Sequence, residues 1–188
     1  MAIVKNNLVT KGLSGQLGKT LVFRKVGDRT IVATSPSTIA DPTEAQQVQR
    51  GRFQQAVTFA KSQMGDPAVK KLYEEQAKRK GQPNAHNAAV SDFFHAPVIS
   101  ALDTIAYQGK VGDRILINAT DDFSIQEVTI EILHPDGTRA EAGQAVQQPN
   151  TSVWVYTATV AIDPLAGVKI TAKVSDRPGN IASQDKAL

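Results

Sequence analysis

The sequence predicts an α+β N-terminal module, a β-hairpin plus two or three short helices, followed by an all-β sandwich. Two observations predict it. Apolar residues recur at helical spacing from about Ala45 to Phe94 and alternate with polar ones beyond that point. Turn-forming groups, Gly112-Asp113, Pro135-Asp136-Gly137, Asp163-Pro164 and Pro178-Gly179-Asn180, separate the alternating segments. The sign of the charge also changes. Residues 1–95 carry 14 Lys/Arg against 7 Asp/Glu, a net +7, and residues 96–188 carry 7 against 11, a net −4. The boundary is read at His95-Ala96-Pro97, giving domains 1–95 and 96–188. A chain of 188 residues holds one large domain or two modest ones, each with a small core.

The first motif is Gly12 to Thr20, GLSGQLGKT. A phosphate loop needs glycine, four residues and then Gly-Lys-Ser/Thr, so that consecutive backbone N–H groups curl around the phosphates. Counting back from Gly18-Lys19-Thr20 puts Leu13 where the glycine belongs. The residues after Thr20, Leu-Val-Phe-Arg-Lys-Val, read as strand, whereas a phosphate loop opens a helix. The stretch is therefore read as a glycine-rich turn between β segments. Its glycines let the chain turn tightly or let another backbone approach. Next comes a hairpin, with arms Lys19 to Val26 and Arg29 to Thr34 flanking Gly27-Asp28. An earlier short strand is expected at Ala2 to Val4 or Leu8 to Thr10, and SPSTIADP, from Ser35 to Pro42, is a linker that runs extended before each proline.

Asp41-Pro42-Thr43-Glu44 predicts a helix start, with Asp41 as cap, Pro42 in the first turn and Glu44 as the capping-box acid. Ala45, Val48, Phe53, Ala56, Val57, Ala60 and Met64 then define an apolar face, with Gln46, Gln47, Arg50 and Gln54 opposite. Gly65-Asp66-Pro67 ends this helix and caps a second, which carries Val69, Leu72 and Tyr73 and runs to about Lys80. A third is expected from about Ala85 to Phe94.

Past Pro97 the alternating sets are Ile115, Ile117 and Ala119; Val128, Ile130 and Ile132; Trp154, Tyr156 and Ala158; and Val168, Ile170, Ala172 and Val174. About seven short strands in roughly ninety residues, with regular turns, predict a sandwich of immunoglobulin type whose core takes the lone Trp154. The chain has no cysteine, so a disulfide-bonded core, a thiolate zinc site and a cysteine nucleophile are all excluded.

Gly15-x-x-Gly18-Lys19 leading into a hairpin, then Pro42-Thr43-Glu44-Ala45-Gln46, Arg50, Arg52-Phe53 and Asn87-x-x-Val90-x-Asp92-Phe93, resembles a family of bacterial proteins of unknown function common in Bacteroidota (DUF6266-like). The resemblance covers about residues 10–95 and implies no activity. The C-terminal half resembles a bacterial immunoglobulin-like domain, through Ala119 to Phe123 (ATDDF) and Asp176-Arg177-Pro178-Gly179-Asn180. That resemblance implies a stalk, spacer or adhesive module of surface or virion proteins.

His86, His95 and His134 lack metal-ligand spacing. Asp121, Asp122, Asp176 and Asn180 form a candidate Ca²⁺ set if their two loops lie at one end of the sandwich, since hard oxygen ligands suit that ion. No nucleophile-elbow signature is present, so the expectation is a protein that is not an enzyme and holds no organic cofactor. Lys70-Lys71 and Lys78-Arg79-Lys80 offer phosphate contacts, but no aromatic residues are interleaved to stack bases, so nucleic acid is not the expected partner. The apolar runs are too short to span a bilayer, and no basic region precedes an apolar stretch at the N-terminus. The expectation is synthesis in the cytoplasm without a classical signal peptide, and a final place in a virion or extracellular assembly.

Halves of opposite charge attract between copies. The expected role is a structural subunit that self-assembles into a filament, virion or surface assembly, with copies of itself and other virion or cell-surface proteins as partners. Gly15, Gly18, Lys19, Leu21 and Phe23 are the candidate assembly residues, and Lys19 would meet the acidic half of a neighbour. The alternative is an adhesin-like module that binds carbohydrate or protein through its loops.

Overall fold

The computed structural model describes residues 2–4, 10, 12–26, 29–35 and 41–188, which fall into two compact units, Met1–Gln49 and Arg50–Leu188. The secondary structure changes from helix to strand at residue 95, but the division of the chain comes earlier, because the helices pack with the strands that follow them.

The first unit holds β1 (Ala2–Val4), β2 (Gly15–Leu17), β3 (Leu21–Val26) and β4 (Arg29–Thr34) in one antiparallel sheet of order β1-β4-β3-β2. The expected hairpin is the β3–β4 pair, and Ala2–Val4 is the earlier strand. Its turn Gly27-Asp28, most of the linker and the alternative strand position at Leu8 and Val9 lie outside the described residues. Part of the glycine-rich stretch is itself a strand, since Gly15, Gln16 and Leu17 pair with Phe23, Val22 and Leu21. Lys19 therefore sits in the turn between β2 and β3 rather than in a strand arm. Cross-strand register puts Leu17 beside Leu21 and Phe23 beside Val32, so these four share one face of the sheet. Among residues 10, 12–26, 29–35 and 41–49 of this unit, only Thr30 is buried.

Helix α1 (Glu44–Met64) begins in the first unit. Its capping box is formed by Thr43 and Gln46, not by Asp41 and Glu44. The Gln46 amide N–H donates to Thr43 Oγ1 at 3.3 Å and the Thr43 N–H donates to Gln46 Oε1 at 3.2 Å. The expected apolar face is only half realised. Ala56 and Ala60 are buried, whereas Val48 is 60% exposed and Phe53, whose ring stacks on Phe94 with centroids 6.5 Å apart, is still 53% exposed.

In α2 (Pro67–Lys80), Asp66 Oδ1 accepts from the Ala68 and Val69 amides, and Gly81 closes the helix in the left-handed region at φ 65°. In α3 (Ala85–Phe94), Asn84 caps by accepting from the Asn87 amide at 2.9 Å.

The remaining strands are β5 (Val98–Asp103), β6 (Arg114–Thr120), β7 (Ile125–Leu133), β8 (Arg139–Gln144), β9 (Val146–Gln147), β10 (Val153–Thr157), β11 (Lys169–Asp176) and β12 (Ile181–Ala187). They form two antiparallel sheets, β5-β6-β10-β9 and β12-β11-β7-β8, that share one apolar core. The alternating sets of β6, β7 and β11 are buried as expected. Trp154 is an exception, since it packs against the core but stays partly exposed. The architecture is thus α+β, with a small sheet and helices ahead of an all-β part.

Candidate functional site

Two places carry the residues singled out in the sequence. The first is the glycine-rich stretch. Gly12, Gly15 and Gly18 all have positive φ, at 85°, 107° and 62°, which L side chains rarely adopt. Nothing lies within 4 Å of a Cβ built on Gly12 or Gly15, so backbone conformation and not close approach within this chain requires glycine there. Gly18-Lys19-Thr20 is a hairpin turn that leads into strand β3 and not into a helix. Lys19 is exposed at the tip, Leu21 is 36% and Leu17 64% exposed, and Phe23 is half-buried.

The second place is the end of the two-sheet body where the β6–β7 loop and the β11–β12 turn meet the helices. The structure brings Asp121, Asp122, Asp176 and Asn180 to this end, and each has a structural partner. Asp121 Oδ2 accepts from the Phe123 and Ser124 amides at 2.9 Å each. Asp176 Oδ1 accepts from the Gly179 and Asn180 amides at 2.8 and 2.6 Å, and its Oδ2 from Asn180 Nδ2 at 2.7 Å. Asp122 meets Lys80 Nζ at 2.7 Å and His95 Nδ1 at 3.6 Å, and the Lys80 hydrogen bond holds its carboxyl below the usual range. Asn180 Nδ2 also reaches the carbonyls of Phe93 and His95 at 3.3 and 3.4 Å. Among the described residues no group of three or more His, Asp or Glu is disposed to hold a metal ion.

These carboxylates form the sheet-side half of a clasp whose other half the sequence reading missed. The Tyr73 ring stacks on Phe123 with centroids 4.0 Å apart and planes within 8°. The Arg177 guanidinium lies 6.0 Å from the Phe123 centroid. Gln76 Nε2 donates to the Asp122 carbonyl and Arg79 to Gln76 Oε1. Tyr73 Oη donates to Asp92 Oδ2 at 2.7 Å, and both residues are buried. Burial first, then the charges of Asp121, Asp176 and Asp122, push Asp92 up to about 7, against the opposing hydrogen bond from Tyr73. Burial likewise raises Tyr73 and Asp176.

A signal for this half was present. Ala85, Ala88, Ala89 and Asp92 form one helical stripe, so an acid stands where an apolar residue belongs.

The clasp also accounts for the opposite charges of the two halves. Residues 50–95 carry 8 Lys/Arg against 4 Asp/Glu, a net +4 that matches the −4 of residues 96–188 within the same unit. Unit 1–49 keeps a net +3, from 6 Lys/Arg and 3 Asp/Glu. No helix among the described residues is long and apolar enough to cross a membrane. No protein-family model, curated protein or solved structure matches the chain.

Proposed function

We propose that the chain is a non-enzymatic structural subunit that self-assembles through its N-terminal sheet and carries an immunoglobulin-like domain. One observation supports this most directly: Leu17, Leu21, Phe23 and Val32 line one sheet face, and none of the four is buried. A sheet needs a second layer to bury its apolar face, and a second copy supplies one. β2, three residues long, lies at the sheet edge, where strand addition by a neighbour is also possible. We place that assembly in a filament, virion or surface structure.

The immunoglobulin-like reading of the second unit rests on strand order. What supports it is that β5-β6-β10-β9 and β12-β11-β7-β8 run in the order expected of an A-B-E-D and a G-F-C sheet, with β8 added beside C. The test is size-exclusion light scattering of the full chain and of a chain lacking residues 1–18. The full chain is expected to be oligomeric and the shortened one monomeric. Equal oligomers would sink the proposal.

A protein-binding adhesin is the second reading, favoured by Ile105 and Val111, which are 85% and 64% exposed on the β5–β6 loop. Asp113 Oδ2 holds that loop by accepting from the Gln108 and Lys110 amides. Negative-stain images separate the readings: filaments, rings or lattices in the first, small monodisperse particles in the second.

A further inference from the structure

A hollow of about 360 Å³ opens between the β6–β7 loop and the turn that precedes β10. Phe123, Ile125 and Trp154 supply apolar wall, and Ser124, Gln147 and Thr151 supply hydroxyl and amide groups. Asp121 is its one charged lining residue. Two buried polar atoms of these lining residues have no hydrogen-bond partner: the Trp154 indole Nε1, a donor, and Asp121 Oδ1, an acceptor. The other Asp121 oxygen is occupied by backbone amides, which fixes the carboxylate.

An unpaired donor and an unpaired acceptor on one hollow select the group that satisfies both. An anion accepts from the indole but is repelled by the carboxylate. An ammonium donates to the carboxylate but cannot accept from the indole. A hydroxyl does both. The hollow is about ten times the ~30 Å³ that one water occupies in the liquid, so it has room for more than a single water molecule. A second hollow, of about 380 Å³, shares Trp154 as a wall and is lined elsewhere by Val128, Gln144 and Ser175. Two of the lining residues are tied to each other, Gln147 Nε2 of the edge strand β9 donating to the Thr151 carbonyl at 2.9 Å.

We propose that this hollow binds a neutral polyhydroxylated ligand, a saccharide, whose hydroxyls accept from Trp154 and donate to Asp121. An aromatic face beside hydroxyl-rich rim groups suits the apolar face of a sugar ring, and the inference does not depend on the assembly reading.

Trp154 is the only tryptophan, so its emission reports on the two hollows it borders, and Asp121→Asn, which touches only the first, tells them apart. The full-length protein is titrated with glucose, galactose, N-acetylglucosamine and maltose, with saturation-transfer NMR on the sugar protons in parallel. At least one sugar is expected to give a saturable emission change and transfer from its ring protons. Trp154→Phe keeps an aromatic wall but removes the N–H, and Asp121→Asn replaces an oxygen with a donor. Each is expected to weaken binding about tenfold by NMR, with folding checked by circular dichroism. No saturable response to any of the four sugars, meaning a hollow filled by water only, would overturn the proposal. So would binding that both folded variants leave unchanged.

Discussion

Asp92 and Glu141 are both buried acids, and their surroundings drive them in opposite directions. Burial raises Glu141, but one oxygen accepts from Tyr156 Oη at 2.6 Å, the Thr159 amide at 2.6 Å and Thr159 Oγ1 at 2.7 Å, and these donors bring its carboxyl below the ordinary range. Asp92 accepts from Tyr73, its Oδ1 has no partner, and three other carboxylates raise it further. Arg177 is the nearby cation, lowering Tyr73 from the β11–β12 turn. Because the folded pKa of Asp92, about 7, lies above its ordinary 3.8, its contribution to stability is fully present below about pH 4 and is lost as pH rises through 7. The upper bound is on the order of 4 kcal/mol. Asp92→Asn stays neutral and still accepts from Tyr73. The variant is expected to gain on the wild type in urea midpoint between pH 5 and pH 8, and a pH-independent difference would refute the assignment. Tyr73→Phe leaves Asp92 with no donor, and should cost about 1–3 kcal/mol in urea unfolding at pH 5.

At the scale of elements, the caps and turns do work that propensity alone does not. α2 is rich in like charges, with Lys70, Lys71, Lys78, Arg79 and Lys80, yet its last-turn cations oppose the negative end of the helix dipole. Its first turn depends on Asp66, so Asp66→Ala is expected to lower the stability of the second unit by about 1 kcal/mol, read from thermal unfolding. In the small sheet, the β2–β3 turn needs a left-handed residue at Gly18. Gly18→Ala should cost about 1–2 kcal/mol locally and speed amide exchange in β2 and β3, with no change in β6, β7 or β11.

For the whole molecule, the clasp makes the helices and the two sheets one unit. Residues 50–188 expressed alone are expected to unfold in a single transition in which helical and strand signals fall together. Phe123→Ala removes the surface on which Tyr73 stacks, and should lower that midpoint by about 3 kcal/mol of stability. Two separate transitions in the unmodified fragment would show that the clasp does not couple them. The Lys80–Asp122 pair is partly solvated on both sides, so it orients the clasp more than it stabilises it, and Lys80→Ala should shift the midpoint by less than about 1 kcal/mol.

Central strands were legible because β6, β7 and β11 each have a paired neighbour on both sides and one face in the core, which imposes strict alternation. The edge strands β8, β9 and β12 were not individually legible, since IASQDKA in β12 is mostly exposed and carries little pattern. The three helices were visible from their breakers and spacing, but α1 misled: its apolar residues lie on a helical period, and burial is complete only at Ala56 and Ala60 in its C-terminal half. Likewise Asp121, Asp122, Asp176 and Asn180 were identifiable as loop residues, while their partners Tyr73, Gln76 and Asp92 lie at least 29 residues away in sequence. The sequence by itself determined the order of elements, the left-handed glycines and the positions of the central strands, because each is set by local sterics or periodicity. Only the tertiary structure decided that the basic helices close on the acidic sheets, that an acid is buried beneath Tyr73 and that Trp154 borders two hollows. Those outcomes depend on which surfaces meet, and no local pattern encodes them.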